Sequence, residues 1–365
     1  MNRFTSEDGR PSRASARLAA GPGTAGLAAC LCATLSAKDS REVTVTMASE
    51  DPGRVRVDAV SFVRAESDTY FDSLLATAGG LGRWHHIREP APVDRQLVVR
   101  MNRDTLYSSV VIDVSAGAEL TMPETGGRYQ TAMVVDQDHY IAKVYDRPGV
   151  HRLAAEESGT GWVAIAVRTL ADPADPADLT AVAALQDRLA VTARSARPFT
   201  HPAWDPDSLA ATRKPLLELA RGLASMKGAF GSRQQTDPVA HLLGTAAGWG
   251  GLPQDQALYL GVEPGLPAGH YTLTVGAVPV RGFWSVSVYD RDGYFQPNEH
   301  GRYSVNSITA VPGDDGTVTV NFGGDPGLPN QIPVMDGWNY TVRLYQPEPG
   351  LLDGSWTFPA LDRLR

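Results

Sequence analysis

Arg100-Met-Asn-Arg-Asp-Thr-Leu-Tyr-Ser-Ser-Val-Val-Ile-Asp113 enters as a cluster of charged and amide groups and leaves as a strand. On a strand, side chains alternate between faces. Asp104, Leu106, Ser108, Val110 and Ile112 share one face, and Thr105, Tyr107, Ser109 and Val111 share the other. Arg100, Asn102, Arg103 and Asp104 therefore lie at a strand mouth, where binding groups commonly sit. The plainer reading of the same residues is an Arg–Asp pair that pins a loop. A second run of this kind is Phe283-Trp-Ser-Val-Ser-Val-Tyr-Asp-Arg-Asp-Gly-Tyr-Phe-Gln-Pro-Asn-Glu-His-Gly-Arg-Tyr303. It again sets strand formers beside polar groups.

Outward from these runs, the body is β, then helical, then β. Residues 58–79 carry apolar positions at helical spacing and stop at Gly79-Gly80. Leu106–Ile112, Tyr129–Asp136, Ile141–Tyr145 and Trp162–Arg168 read as strands. Residues 172–260 read as helical, with Asp207 as an N-cap, Pro215 kinking or dividing a helix, and Asp237-Pro238 opening another. Strands return at Tyr271–Val275, Phe283–Tyr289, Thr317–Phe322 and Tyr340–Tyr345. Strands and helices do not alternate regularly, so a doubly wound parallel sheet is disfavoured. The expected fold is mainly β with a helical insert. The expected division is a tail over 1–57, an N-terminal β domain over 58–170, a helical connecting segment over 171–262 and a C-terminal β domain over 263–365.

Bulk properties restrict function. The chain has 365 residues and a net charge of −8, which argues against nucleic acid or an anionic membrane as the main partner. The two cysteines, Cys30 and Cys32, fall in the tail, so a disulfide framework or a cysteine nucleophile in the body is disfavoured. The tail itself reads either as a leader for export, with Leu27-Ala28-Ala29-Cys30 resembling a lipid-attachment motif, or as a disordered tail or a segment upstream of a true start at Met47. Cytoplasmic residence follows from the second reading and export from the first. No stretch is long and apolar enough to be expected to span a bilayer.

Candidate chemistry is sparse. Asp136-Gln-Asp-His-Tyr140 places an acid, an imidazole and a phenol close together, suited to proton transfer or metal binding, or else to a hydrogen-bonded turn. Trp84-His85-His86 with Glu89 lacks metal-site spacing, since adjacent strand residues face opposite ways. No organic cofactor is expected, and a bound metal ion stays open without support from ligand spacing. Arg343 in the last strand either reaches a polar cavity or faces solvent, and solvent is the default. Asn298, Arg302, Tyr303 and Asn306 form a donor-rich cluster suited to anionic or hydroxylated ligands. Hydrolase elbow, Walker, dinucleotide and zinc-protease motifs are missing from the sequence.

At these runs the sequence resembles a bacterial family built from two adjacent domains of unknown function, numbered 1254 and 1214. Val99-Arg-Met-Asn-Arg-Asp-Thr-Leu-Tyr-Ser108 and Asp138-His-Tyr140 carry the first likeness. Gly282–Phe295, Asn298, Arg302–Asn306, Gly337–Tyr345 and Leu352–Phe358 carry the second. The resemblance implies jelly-roll-like β-sandwich domains and no established reaction. It brings forward Asn102, Arg103, Asp104, Thr105, Asp138, His139, Tyr289, Asn298, Arg302 and Trp338 as site positions. Three functions follow as expectations. The first is a pocket at the domain boundary for a small polar or anionic ligand (a sugar or a carboxylate), lined by Arg100, Asn102, Arg103, Thr105, Tyr107, Tyr289, Asn298, Arg302, Tyr303, Trp338 and Arg343. The second is a hydrolase or lyase without organic cofactor, in which His139 shuttles protons, Asp138 or Asp104 orients it and Arg103 stabilises charge. The third is an oligomer interface built on Tyr289 and Trp338.

Overall fold

The computed structural model describes residues 53–96, 99–223 and 225–362. The expectations for the leader, for Cys30 and Cys32 and for a start at Met47 lie outside the described residues. In chain order the elements are α1 (Phe62–Ala78), β1 (His85–His86), β2 (Thr105–Asp113), β3 (Ala118–Met122), β4 (Gln130–Asp136), β5 (Ile141–Tyr145), β6 (Gly149–Leu153), β7 (Trp162–Leu170), α2 (Pro176–Gln186), β8 (Ala190–Ala193), α3 (Pro206–Ala220) and α4 (Pro238–Gly248). There follow β9 (Ala257–Val262), β10 (Tyr271–Val275), β11 (Trp284–Tyr289), β12 (Ser304–Asn306), β13 (Val318–Phe322), β14 (Gln331–Ile332), β15 (Asn339–Tyr345) and α5 (Pro349–Asp353).

The fold is mainly β and contains two sandwiches. In the first, the sheet β1-β2-β7-β4-β5 packs on β6-β3-β8 around Val110, Ile112, Leu120, Met122, Val134, Val163, Ile165 and Val167. In the second, β12-β11-β15-β9 packs on β10-β13-β14 around Val275, Val286, Val288, Phe322, Trp338, Tyr340, Val342 and Leu344. The pairings are antiparallel except β13 with β14. The segment expected to be helical also supplies two strands. β8 joins the first sandwich through β3, and β9 joins the second through β15.

Local chemistry explains the helix limits. Gly79 takes a left-handed φ of 77° and caps α1, its N–H bonding Leu75 O. Asp237 accepts from Val239 N and Ala240 N to start α4, with Pro238 at the first position. For α3 the cap is Asp205, two residues before the expected Asp207, because Pro206 supplies the fixed φ of a first helical residue. Pro215 does not divide α3, which continues through it to Ala220.

The second sandwich has an unusual outer face. Along β11, Trp284, Val286 and Val288 point into the core, so Ser285, Ser287 and Tyr289 point away. Along β15, Asn339, Thr341, Arg343 and Tyr345 point away in the same manner. Antiparallel sheets commonly leave such a polar face in water. Here every residue of both strands is buried, because the first domain covers that face. The five-stranded sheet turns its second face the same way. Tyr107, Val111, Met133, Ala164 and Ala166 there pack with α1, Trp249, Phe283 and Tyr345. Two sheets thus meet across a boundary that is apolar at one end and polar at the other.

Candidate functional site

The polar part of this boundary, the seam, is built by the run that opens the first domain. Arg100 adopts a left-handed φ of 54°, and its N–H donates to Gly293 O at 2.6 Å. The turn carries residues 100–104 across the face of the second domain. Asn102 is the hub. Its Oδ1 accepts from Asp104 N at 2.9 Å, and its Nδ2 donates to Thr105 Oγ1, Tyr107 Oη and Tyr345 Oη at 3.1, 3.2 and 3.1 Å. Asp104 Oδ1 accepts from Ser304 Oγ at 3.3 Å and Asn306 Nδ2 at 3.1 Å, while its Oδ2 has no partner among the described residues. Arg100 Nη1 donates to Thr341 Oγ1 at 3.3 Å, and its Nη2 lies 3.5 Å from Glu263. Arg103 donates to Ala91 O and stands over the Tyr303 ring. Burial pushes the guanidinium groups of both Arg100 and Arg103 down from the ordinary value.

Two arginines from opposed sheets reach the seam. Arg343 is not in solvent, contrary to the default expectation; it is 3% exposed, because the first domain lies on its sheet. Its Nη1 donates to Ser287 Oγ at 3.0 Å, and its Nη2 donates to Arg100 O at 2.8 Å and Tyr289 Oη at 2.6 Å. Tyr289 Oη in turn donates to Met101 O at 2.7 Å. Burial pushes the Arg343 guanidinium down, but Tyr289, Tyr345 and Asp104 outweigh it and the net shift is upward. Arg343 is thus a clamp held at both terminal nitrogens.

Arg168, on β7, is the opposite case. Register sets it between Tyr107 of β2 and Thr131 of β4. It is 1% exposed, its Nη2 donates to Gly250 O at 3.1 Å, and its Nη1 has no partner among the described residues. Its Cζ lies 5.7 Å from the Tyr107 ring centroid. Burial pushes it down, while Tyr107, Tyr259, Tyr129 and Tyr345 bring the net shift upward. Burial pushes the Tyr129 and Tyr345 hydroxyls up, so at neutral pH these two offer dipoles and ring faces rather than a counter-charge. Ser285 Oγ, opposite Arg343 in the ladder, is also buried without a partner among the described residues. Tyr259 and Gly261, on the edge strand β9, are half-buried, so the seam approaches the surface along β9.

The expected site residues divide in two. Arg100, Asn102, Arg103, Asp104, Thr105, Tyr107, Tyr289, Tyr303 and Arg343 come together around the boundary. Asn298 and Arg302 do not join them. Asn298 Nδ2 donates to Arg302 O at 2.9 Å, and Arg302 Nη1 donates to Pro326 O at 2.7 Å, so both close their own surface loop. Asn298 instead lines a groove of about 640 Å³ in the second domain, with His270, His300 and Gln331. Trp338 packs in the second core against Phe322 and Tyr340. Tyr289 and Trp338 are both buried within one chain, so they do not form the expected oligomer interface.

The expected relay of His139 with Asp138 or Asp104 is not assembled. His139 is fully buried, with φ +60°. Its Nε2 accepts from Gly250 N at 2.7 Å, which leaves Nδ1–H to donate to Thr245 Oγ1 at 2.8 Å. Burial, with His241 beside it, holds the imidazole far below its ordinary value. Asp138 pairs with Arg64 at 2.6 Å, and Asp104 serves the seam. His139 therefore acts as a strut. It fixes the N–H of Gly250, whose carbonyl holds Arg168. Among the described residues, no group of three or more His, Cys, Asp or Glu gathers to hold a metal, and no helix is long and apolar enough to cross a membrane.

The sequence reading missed Arg168, Tyr129 and Tyr259 as site residues. The available signal was the strand Trp162–Leu170 itself. Val163, Ile165 and Val167 take one face and Ala164 and Ala166 the other, so Arg168 is a charge on a strand with two apolar faces.

Fold and seam together define a protein of two β-sandwiches that meet across a buried polar layer. Residues 81–193 match the family model described as a protein of unknown function, DUF1254, and residues 263–349 match the one described as a protein of unknown function, DUF1214. The chain belongs to the family that carries these two domains in this order. The crystal structure of the VPA0106 protein from Vibrio parahaemolyticus is similar, with a TM-score of 0.63 at 18% identity over 84% of this chain and 98% of that one. A putative uncharacterised protein from Burkholderia cenocepacia aligns with a TM-score of 0.48 at 15% identity, over 83% of this chain and 86% of that one. No curated protein matches the chain.

Proposed function

We propose that the seam is a ligand site and that the protein binds a small polar molecule between its two sandwiches. The observation that carries this reading is a buried polar layer in which, among the described residues, four side-chain atoms have no partner: Asp104 Oδ2, Arg168 Nη1, Ser285 Oγ and Asn339 Oδ1. Buried polar atoms are rarely left without partners, since each costs about 1–3 kcal/mol. Several in one layer, contributed by both domains, fit a ligand that supplies the missing partners. The half-buried edge at β9 is the entry side. A hydrolase or lyase built on His139 is not carried, because both of its ring nitrogens have neutral partners in the folded chain.

Hydrogen–deuterium exchange tests the reading. Metabolites that raise the thermal midpoint should slow exchange in residues 100–107 and 339–345 together, because one ligand bridges both domains. Protection confined to the groove of His270 and Gln331, or to one domain alone, would reject the seam as the site.

A further inference from the structure

This step rests on the reading above and concerns the charge of the ligand. The two ends of the seam differ. At one end Arg343 has several acceptors and the Asp104 carboxylate nearby. At the other end Arg168 is a buried cation with one carbonyl acceptor and, among the described residues, no carboxylate within ion-pair distance. A buried charge is costly unless paired, and removal of one partner from a buried pair leaves the other exposed to that full cost. One nearby hydroxyl, that of Tyr345, can donate. Tyr345 Oη already accepts from Asn102 Nδ2, so its own proton is available to a ligand. Burial pushes the Tyr345 hydroxyl up, so it keeps that proton. The guanidinium lies over the Tyr107 ring and, among the described residues, donates to one acceptor. Gly250 O takes Nη2, and His139 fixes Gly250 through its N–H, which leaves Nη1 as the open corner.

We propose that Arg168 is the anchor for a carboxylate, so that the ligand is a small monocarboxylic acid bound as its anion, with the Tyr345 hydroxyl as a second donor. A carboxylate brings two coplanar acceptors that match the guanidinium fork. It also supplies the negative charge that this end of the seam lacks.

The test is a thermal-shift titration of the full chain with sodium formate, acetate, propionate and benzoate, at ionic strength held constant with sodium chloride. Formamide, acetamide, propionamide and benzamide serve as uncharged counterparts of the same shape. The expected result is a saturable rise in midpoint with at least one acid and none with its amide, weakened about tenfold or more in Arg168→Gln. If Arg168→Gln does not fold, the acid–amide contrast in the wild type and exchange protection at residues 339–345 decide the matter. Three results overturn the proposal: an amide that works as well as its acid, an acid response unchanged in Arg168→Gln, or no acid that exceeds chloride. A neutral ligand that protects the seam would remove the carboxylate but leave the proposed site standing. Protection by every ligand elsewhere would remove the site itself.

Discussion

Arg168→Met and Arg343→Met are the same chemical change at two buried positions, 1% and 3% exposed, and they should have different consequences. Arg343→Met removes the donors that reach Ser287, Arg100 O and Tyr289 and strips a counter-charge from Asp104. Breaking a buried charge network of this kind costs about 3–5 kcal/mol. Arg168→Met removes one hydrogen bond to Gly250 O, worth about 1–3 kcal/mol when the acceptor stays buried, and a cation–π contact of about 2 kcal/mol. It also relieves the burial of an uncompensated guanidinium, a penalty of several kcal/mol in its own right, of order 3 to 5. These terms nearly cancel. Arg168→Met should therefore fall within about 1 kcal/mol of the wild type, on the stabilised side if on either. Equilibrium urea unfolding of the ligand-free proteins measures the gap, provided the denaturant slopes agree. If Arg168→Met loses as much stability as Arg343→Met, then Arg168 is an ordinary packing member and the seam is a closed interface rather than a site.

Two further changes separate structure from chemistry through pH. The Asp136 carboxyl is pushed up to about 6 by burial, so the folded chain holds this proton more tightly than the unfolded chain. Stability from this group falls as pH rises from about 4 to about 6 and the penalty, about 3 kcal/mol, persists above that window. Asp136→Asn should raise the urea midpoint at pH 7.5 and leave it little changed near pH 4; a lower midpoint at pH 7.5 would contradict the assignment. His139 has the opposite sign. It stays neutral when folded and gains a proton on unfolding below about pH 6.5, so it costs stability as pH falls below that value. His139→Gln should lose about 2–4 kcal/mol at pH 7.5 through lost packing and hydrogen bonds and should flatten the acid-side decline. An unchanged slope between pH 6.5 and pH 5 would show that another group carries it.

The sequence makes the local signals of this fold legible and leaves the long-range ones hidden. Gly79 and Asp237-Pro238 mark helix ends through backbone chemistry within a few residues, and both operate in the structure. The alternation of Trp284, Val286 and Val288 with Ser285 and Ser287 is equally local. What covers the serine face is not. Arg343 reads as a solvent-facing strand residue because nothing within ten positions says that another domain lies on its sheet. Arg168 reads as the charged end of a strand, and its setting depends on Tyr259 and Tyr345, which come from the other sandwich. The Asn102 run reads as a binding mouth and also turns out to be the contact that joins the domains, through Tyr345, Ser304 and Asn306. His139 shows the converse error of scale. A histidine between an acid and a phenol suggests proton transfer, but a left-handed φ and complete burial make it a fixed strut.

A crystal structure of the protein grown in sodium formate puts the question to the one atom that matters, Arg168 Nη1. A formate oxygen should lie about 2.7–2.9 Å from it, the spacing of a charge-assisted bond, with the other oxygen toward the Tyr345 hydroxyl. Formate found only at surface lysines and arginines, with Nη1 turned to a protein acceptor, would contradict an anion site between the two sandwiches.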